Sequence, residues 1–215
     1  DDSGNQTNKI TLNSNSNNVS ITGPNSGTVE GTAFTNISDI DLSGGDDNAI
    51  ISATGSLSGS LKGGEGEDDL FLNNSRNVIN IDHTGSGDLI SNFYDLPAII
   101  LPPPIPTDFD GFEIIRLDDG RDIANLTFDA STEKTTKQPL RIDGGNDVDS
   151  IKLSLNSNEY QYLITTNQLD NLKAYLESPT GKDVTFNFLQ TSLTLSGFEI
   201  IRLDDGRDIA NLTFD

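Results

Sequence analysis

The stretch GFEIIRLDDGRDIANLTFD fills residues 111–129, and the same nineteen letters return unchanged at residues 197–215. After its central acid the apolar residues alternate as Ala124, Leu126 and Phe128, and the same alternation follows Asp149 as Ile151, Leu153 and Leu155. A period of two with one apolar side is a half-buried strand, not a helix. Sliding the stretch back by 75 positions lays Ile115, Leu117, Gly120, Asp122, Ala124 and Leu126 over Ile40, Leu42, Gly45, Asp47, Ala49 and Ile51. FTNISDIDLSGGDDNAII is therefore a third, diverged copy.

A second motif, glycines followed by an acid and an alternating strand, is written GGEGEDDLFL from Gly63 and GGNDVDSIKLSL from Gly144, with a worn version, SGNQTNKITL, from Ser3. Together the two motifs divide the chain into three tandem units, roughly 1–61, 62–141 and 142–215. Asp47 and Asp68 are 21 residues apart and Asp122 and Asp149 are 27 apart, which suits one winding of a solenoid. The expected fold is thus all-β, a parallel β-helix or β-roll of tandem units. Between the motifs lie variable segments. The run from Asn13 to Asn18 reads as disordered linker or as polar rungs of a β-helix, with alternating Val19 and Ile21 favouring ordered strand, and LPAIILPPPIPTDFDG as an extended surface excursion, because proline cannot donate ladder hydrogen bonds. In TTNQLDNLKAYLESPTG a polar cap, helical spacing of Leu169, Leu172, Tyr175 and Leu176, and a Pro-Thr-Gly stop predict one short helix near 166–178 that covers a β surface.

The composition narrows the chemistry. Against 34 Asp and Glu stand 13 Lys and Arg, giving a formal charge of −21, and the chain has no Cys, Met or Trp. So much negative charge repels nucleic acid and anionic lipid and calls for neutralising cations. Without Cys there are no disulfides, thiolate zinc sites or Cys nucleophiles, and a hard metal with oxygen ligands is the natural counter-ion. No apolar run approaches bilayer length, no signal-peptide pattern opens the chain, and residue 1 is Asp, so a fragment or processed piece of something longer is expected. Two carboxylates held ~5 Å apart repel by roughly 3 kcal/mol at an effective dielectric near 20. A divalent cation converts that repulsion into a crosslink. Calcium suits flexible loops of carboxylates and carbonyls better than magnesium does, and zinc would want His or Cys where the chain has only His83.

GGEGEDDLF, from Gly63 to Phe71, resembles the complete nonapeptide GGxGxDxUx of RTX proteins. That resemblance implies a calcium-binding parallel β-roll, whose turns bind the ion through Asp and main-chain carbonyls. Carried over residue by residue, it places ligands at Asp68 and Asp149, in turns opened by Gly63 and Gly144, with Asp147 standing where the second motif would have glycine. In the degenerate turns the matching acids are Asp47, Asp122 and Asp208. Glu65, Asp119 and Asp205 either add side-chain oxygens or solvate the turn. The bland reading of all these acids is a turn-forming Asp that caps its own backbone. A glycine motif, a spacer and then GFE before a strand also resembles the repeat of RTX-type surface-layer proteins and giant adhesins of Gram-negative bacteria. This similarity implies type I secretion, an extracellular or cell-surface location and folding where calcium is plentiful.

No catalytic constellation is recognised. His83 lacks an obvious partner and is expected to be solvated or strand-facing, and no nucleophile-elbow motif supports a Ser-His-Asp site. Asn-x-Ser/Thr sequons at Asn18, Asn36 and Asn125 fit turn and ladder chemistry as well as glycosylation. The first function expected is a calcium-stiffened structural module that self-associates into a surface layer, filament or rod and is not an enzyme, with cell-surface polysaccharide as a further partner. The rivals are a calcium-dependent β-helix enzyme acting on polysaccharide, the RTX module of a secreted hydrolase, and a flat carbohydrate- or ice-binding face. Lyases usually need a basic residue in a groove among acids, which the sequence does not reveal, and neither Thr-x-Thr ladders nor stacked aromatics mark a binding face. Preservation of Arg116, Asp118, Asp119 and Arg121 in the exact copy fits recent duplication or one contact made twice.

Overall fold

The computed structural model describes residues 8–73, 76–92, 106–128, 139–177, 183–189, 191–204 and 209–212. Strands follow one another as β1 (Lys9–Thr11), β2 (Asn18–Gly23), β3 (Ser26–Val29), β4 (Thr32–Thr35), β5 (Asp39–Asp41), β6 (Asn48–Ser52), β7 (Ser60–Lys62), β8 (Asp69–Asn73), β9 (Asn77–Asp82), β10 (Gly87–Asn92), β11 (Thr107–Asp110), β12 (Ile114–Arg116), β13 (Ile123–Thr127), β14 (Leu140–Asp143) and β15 (Ser150–Ser154). Two helices, α1 (Ser157–Thr165) and α2 (Gln168–Glu177), precede β16 (Val184–Asn187), β17 (Ser192–Ser196), β18 (Ile200–Asp204) and β19 (Ile209–Leu212).

The strands form two large mixed sheets. The first is ordered β1-β5-β7-β11-β10-β9-β13-β15-β18-β19 and the second β16-β17-β14-β12-β8-β6-β2-β3-β4. The second sheet has six consecutive parallel strands from β17 to β2, and antiparallel hairpins finish its edges. In the first sheet, β10 pairs antiparallel with both β9 and β11 and separates two parallel runs.

The chain shuttles between the sheets, and the repeat motifs are the crossings. Its crossings from the first sheet to the second include β1→β2, β5→β6, β7→β8 and β11→β12; those from the second to the first include β8→β9, β12→β13, β14→β15 and β17→β18. We call these opposite margins the outgoing edge and the return edge. Alternation puts the inward residues of both sheets, among them Ile40, Leu61, Ala124 and Ile151 from the first and Ile51, Leu70, Ile115 and Leu195 from the second, into one fully buried core cluster. The first strands of the identical segments occupy different sheets, Ile115 of β12 in the second and Ile201 of β18 in the first, whereas β13 and β19 both lie in the first.

One helix was expected and α2 meets that expectation, but α1 is an additional one. Its Tyr160, Tyr162 and Ile164 alternate like a strand; the helix is started by the Asn156 side chain, which accepts the backbone N–H groups of Asn158 and Glu159. The core face of α2 carries buried Leu172 and Tyr175, the Tyr175 ring meets Phe186 edge-on, and its hydroxyl accepts the Phe198 N–H at 3.2 Å. The strand β11 follows the proline run, most of which lies outside the described residues. Among the described residues no helix is long and apolar enough to cross a membrane.

Candidate functional site

The outgoing crossings into β2, β6, β8 and β12 each end on a polar residue one step before the strand: Asn17, Asp47, Asp68 and Glu113. Parallel pairing in fixed register stacks these four on neighbouring strands. The Asn17 N–H donates to Asp47 Oδ1 at 2.6 Å, the Asp47 N–H to Asp68 Oδ1 at 2.9 Å, and the Asp68 N–H to Glu113 Oε2 at 3.0 Å. Each residue's side chain thus closes the backbone of the one before it. In the opposite direction the main chain replies, the Asn48 N–H donating to Asn17 O and the Asp69 N–H to Asp47 O, both at 2.9 Å.

The return edge repeats the arrangement with Asn77, Asp122, Asp149 and Glu199. The Asn77 N–H donates to Asp122 Oδ1, the Asp122 N–H to Asp149 Oδ1 at 2.7 Å, and the Asp149 N–H to Glu199 Oε2 at 2.8 Å. Even the first members match: the Asn17 side-chain amide donates to Leu42 O at 3.2 Å and that of Asn77 to Leu117 O at 2.7 Å. The molecule therefore holds two ladders of composition Asn, Asp, Asp, Glu on opposite edges. The sequence spacing brings Asp47 to Asp68 and Asp122 to Asp149, but it does not reveal that the two pairs belong to separate ladders.

All four aspartates are at most 1% exposed, and each leaves Oδ2 buried without a hydrogen-bond partner. Removal from water raises the Asp47 pKa, and raises Asp68 to about 6, Asp122 to about 7 and Asp149 to about 8. The backbone N–H groups accepted at Oδ1 oppose that rise, while the neighbouring carboxylates of Asp47 and Glu113 at Asp68, and of Asp122 and Glu199 at Asp149, add to it. Like charges placed directly across parallel strands are unfavourable unless a proton or cation neutralises them.

Gly63 and Gly144 shape the space beside these oxygens. A Cβ on Gly63 would sit 2.3 Å from Gly111 O and 2.7 Å from Asp68 Oδ2; on Gly144 it would sit 2.4 Å from Gly197 O and 3.0 Å from Asp149 Oδ2. At each edge the glycine motif and the GFE motif thus aim one carbonyl and one carboxylate oxygen at the same small volume. Among the described residues no three His, Cys, Asp or Glu side chains converge as a metal-holding group. The donors fit a hard cation held by one carboxylate oxygen and main-chain carbonyls, and not an all-carboxylate cage.

The remaining candidates are peripheral. Glu65 is exposed and takes part through its main chain, its N–H donating to Ser43 O and its carbonyl accepting from Gly45. Asp119 is exposed and accepts the Asn146 side-chain amide at 2.7 Å. Asp205 and Asp208 lie outside the described residues. His83 is 4% exposed and stacked on Phe128 at 6.1 Å, so it is a buried residue and not a solvated one. Sequence reasoning missed Asn17, Asn77, Glu113 and Glu199, although Gly-Phe-Glu stands in both exact copies and each glutamate ends a ladder. It also missed a cleft of about 590 Å³ on the return edge, where Arg76, Arg121 and Arg202 gather around Asp122 and Asp147.

No family model, curated protein or solved structure matches this chain.

Proposed function

We propose that the chain is a calcium-stabilised structural module of a secreted cell-surface protein, a solenoid of tandem RTX-like units that self-associates in a surface layer, filament or adhesin. One observation carries this reading: four buried Asp Oδ2 atoms without partners, stacked two by two on opposite edges. The ladders join each crossing to the next, so their neutralisation stabilises the length of the array and not a single loop. The acidic turns and the charge of −21 act in the same direction, since self-repulsion opposes folding until cations bind. A proton and a calcium ion compete for these oxygens.

The test is a calcium titration at pH 8 with a chelator control, following far-UV circular dichroism, thermal unfolding and sedimentation together. Calcium is expected to raise strand signal and Tm, through a stabilisation of about 2.7 kcal/mol per site at a hundredfold excess over Kd. Asp68→Asn with Asp149→Asn keeps the Oδ1 acceptors, removes two of the four buried charges and is expected to weaken the calcium response. An unchanged calcium response in that double variant, or no response in the parent, overturns the calcium assignment. The rival reading, a protein acting on polysaccharide, draws on the arginine-lined cleft.

A further inference from the structure

The two edges are alike in their ladders and differ in the residues that immediately precede some of the ladder members, although Asp118, Asp119 and Asp147 also stand on the return edge. On the return edge the residues immediately preceding the ladder members Asn77 and Asp122 are Arg76 and Arg121. On the outgoing edge the residues immediately preceding Asp47 and Asp68 are Asp46 and Glu67, with Glu65 in the same turn. All five are exposed. Asp46 is held in place, its Oδ1 accepting the Glu67 N–H at 3.1 Å.

The return-edge cleft adds Arg202 from β18, with Val148, 45% exposed, also among its lining residues. Arg202 is the duplicate of Arg116, which is spent in an ion pair with Asp69 at 2.7 Å. Arg202 faces its in-register neighbour Lys152 instead, and Lys152 is paired with Asp204. Three of the chain's 13 basic residues thus converge in one cleft of a protein of charge −21.

We infer that the cleft on the return edge receives the acidic outgoing edge of a second copy of this chain. The spacings match: Asp46 and Glu67 precede the neighbouring strands β6 and β8, and Arg76 and Arg121 precede the neighbouring strands β9 and β13. Both pairs are therefore one strand apart, about 4.8 Å, and meet two by two. Because the edges lie on opposite margins, the contact joins unlike surfaces of two copies; it is heterologous and repeats from copy to copy. It runs edge to edge, across the strand ends, and is distinct from stacking of solenoid ends. This contact rests on the self-associating part of the proposed function and specifies its surface.

The experiment exchanges the charges. R121E/R202E turns the cleft acidic and D46R/E67R turns the outgoing edge basic; all four side chains are on the surface, and circular dichroism with thermal unfolding confirms that each variant is folded. In sedimentation at low salt with calcium, each variant alone is expected to associate at least tenfold more weakly than the parent, and an equimolar mixture of the two to recover association. Raising salt from about 50 mM to about 500 mM shortens the screening length below 10 Å and weakens the parent's association. If the parent associates and the variants associate equally well, the edge contact is wrong while self-association stands. If the parent stays monomeric at every calcium concentration, both fall, whereas calcium-dependent folding is read separately. If the parent is monomeric but binds polygalacturonate and R121E/R202E does not, the cleft is a polysaccharide site and the inference is overturned.

Discussion

Gly63 and Gly144 are required for lack of space and not for unusual backbone angles. Their neighbours Gly64 and Gly145 carry the positive φ values, 118° and 93°. Gly63 itself faces the Gly111 carbonyl, and Gly144 faces that of Gly197. Gly63→Ala would press a methyl group to 2.3 Å from a backbone oxygen that two parallel strands hold in place. We expect it to cost about 1–3 kcal/mol, as overpacking does, visible as a lower urea midpoint with an unchanged slope. Gly31→Ala is the contrast in space alone, because a Cβ there meets nothing within 4 Å, although its φ of 74° adds strain of its own. An unchanged midpoint for Gly63→Ala would mean that the glycine turn and the GFE turn are not packed as described.

A crossing gains its stability from its neighbours, because each ladder member caps the backbone of the crossing before it. The ladders end on glutamate, whose longer side chain reaches the Asp68 and Asp149 N–H groups from GFE turns built without the glycine motif. Glu113→Ala would leave the Asp68 N–H buried without this acceptor, at a cost of about 1–3 kcal/mol. Glu113→Gln keeps an amide oxygen in place and relieves part of the repulsion on Asp68, so it is expected to fall within about 1 kcal/mol of the parent in chemical unfolding. Equal losses in the two variants would show that Glu113 acts through its charge and not as a cap.

Over the whole molecule the buried aspartates invert the usual dependence of stability on pH. Asp68, Asp122 and Asp149 titrate near 6, 7 and 8 in the folded chain, against about 3.9 when unfolded. Between pH 4 and 8 these three groups bind more protons in the folded chain than in the unfolded one, so their contribution is greatest below the unfolded value and is lost as pH rises through the folded ones. Asp39, held low by its bond from the Ser38 hydroxyl, and Asp41, held low by Lys9, act in the opposite sense but sit near solvent, where such pairs contribute little. In chelator, Tm is expected to fall from pH 5 to pH 8, and calcium is expected to restore it at pH 8 while doing little at pH 5. A chelated protein whose Tm rises steadily to pH 8 would show that the ladder carboxylates are ionised without cost.

The sequence by itself determined the alternating strands that follow the two motifs, their buried faces and the pairing of Asp47 with Asp68 and Asp122 with Asp149, because period-two alternation and motif spacing are local properties that survive in any sheet. It also pointed to α2, but α1 depends on the Asn156 cap beneath a strand-like alternation of side chains. Only the tertiary structure decided which edge each crossing occupies. Inserting the hairpin strands between β7 and β13 in the first sheet leaves β8 and β12 adjacent in the second, and the motif that served the outgoing edge then serves the return edge. The same choice made Glu113 and Glu199 ladder ends, gave the identical Arg116 and Arg202 different surroundings, and gathered Arg76, Arg121 and Arg202 into one cleft. The ladder bonds among those contacts join residues up to 50 positions apart, and the cleft joins residues farther apart still; strand order across two sheets is set by the packing of the whole core and not by any one stretch of it.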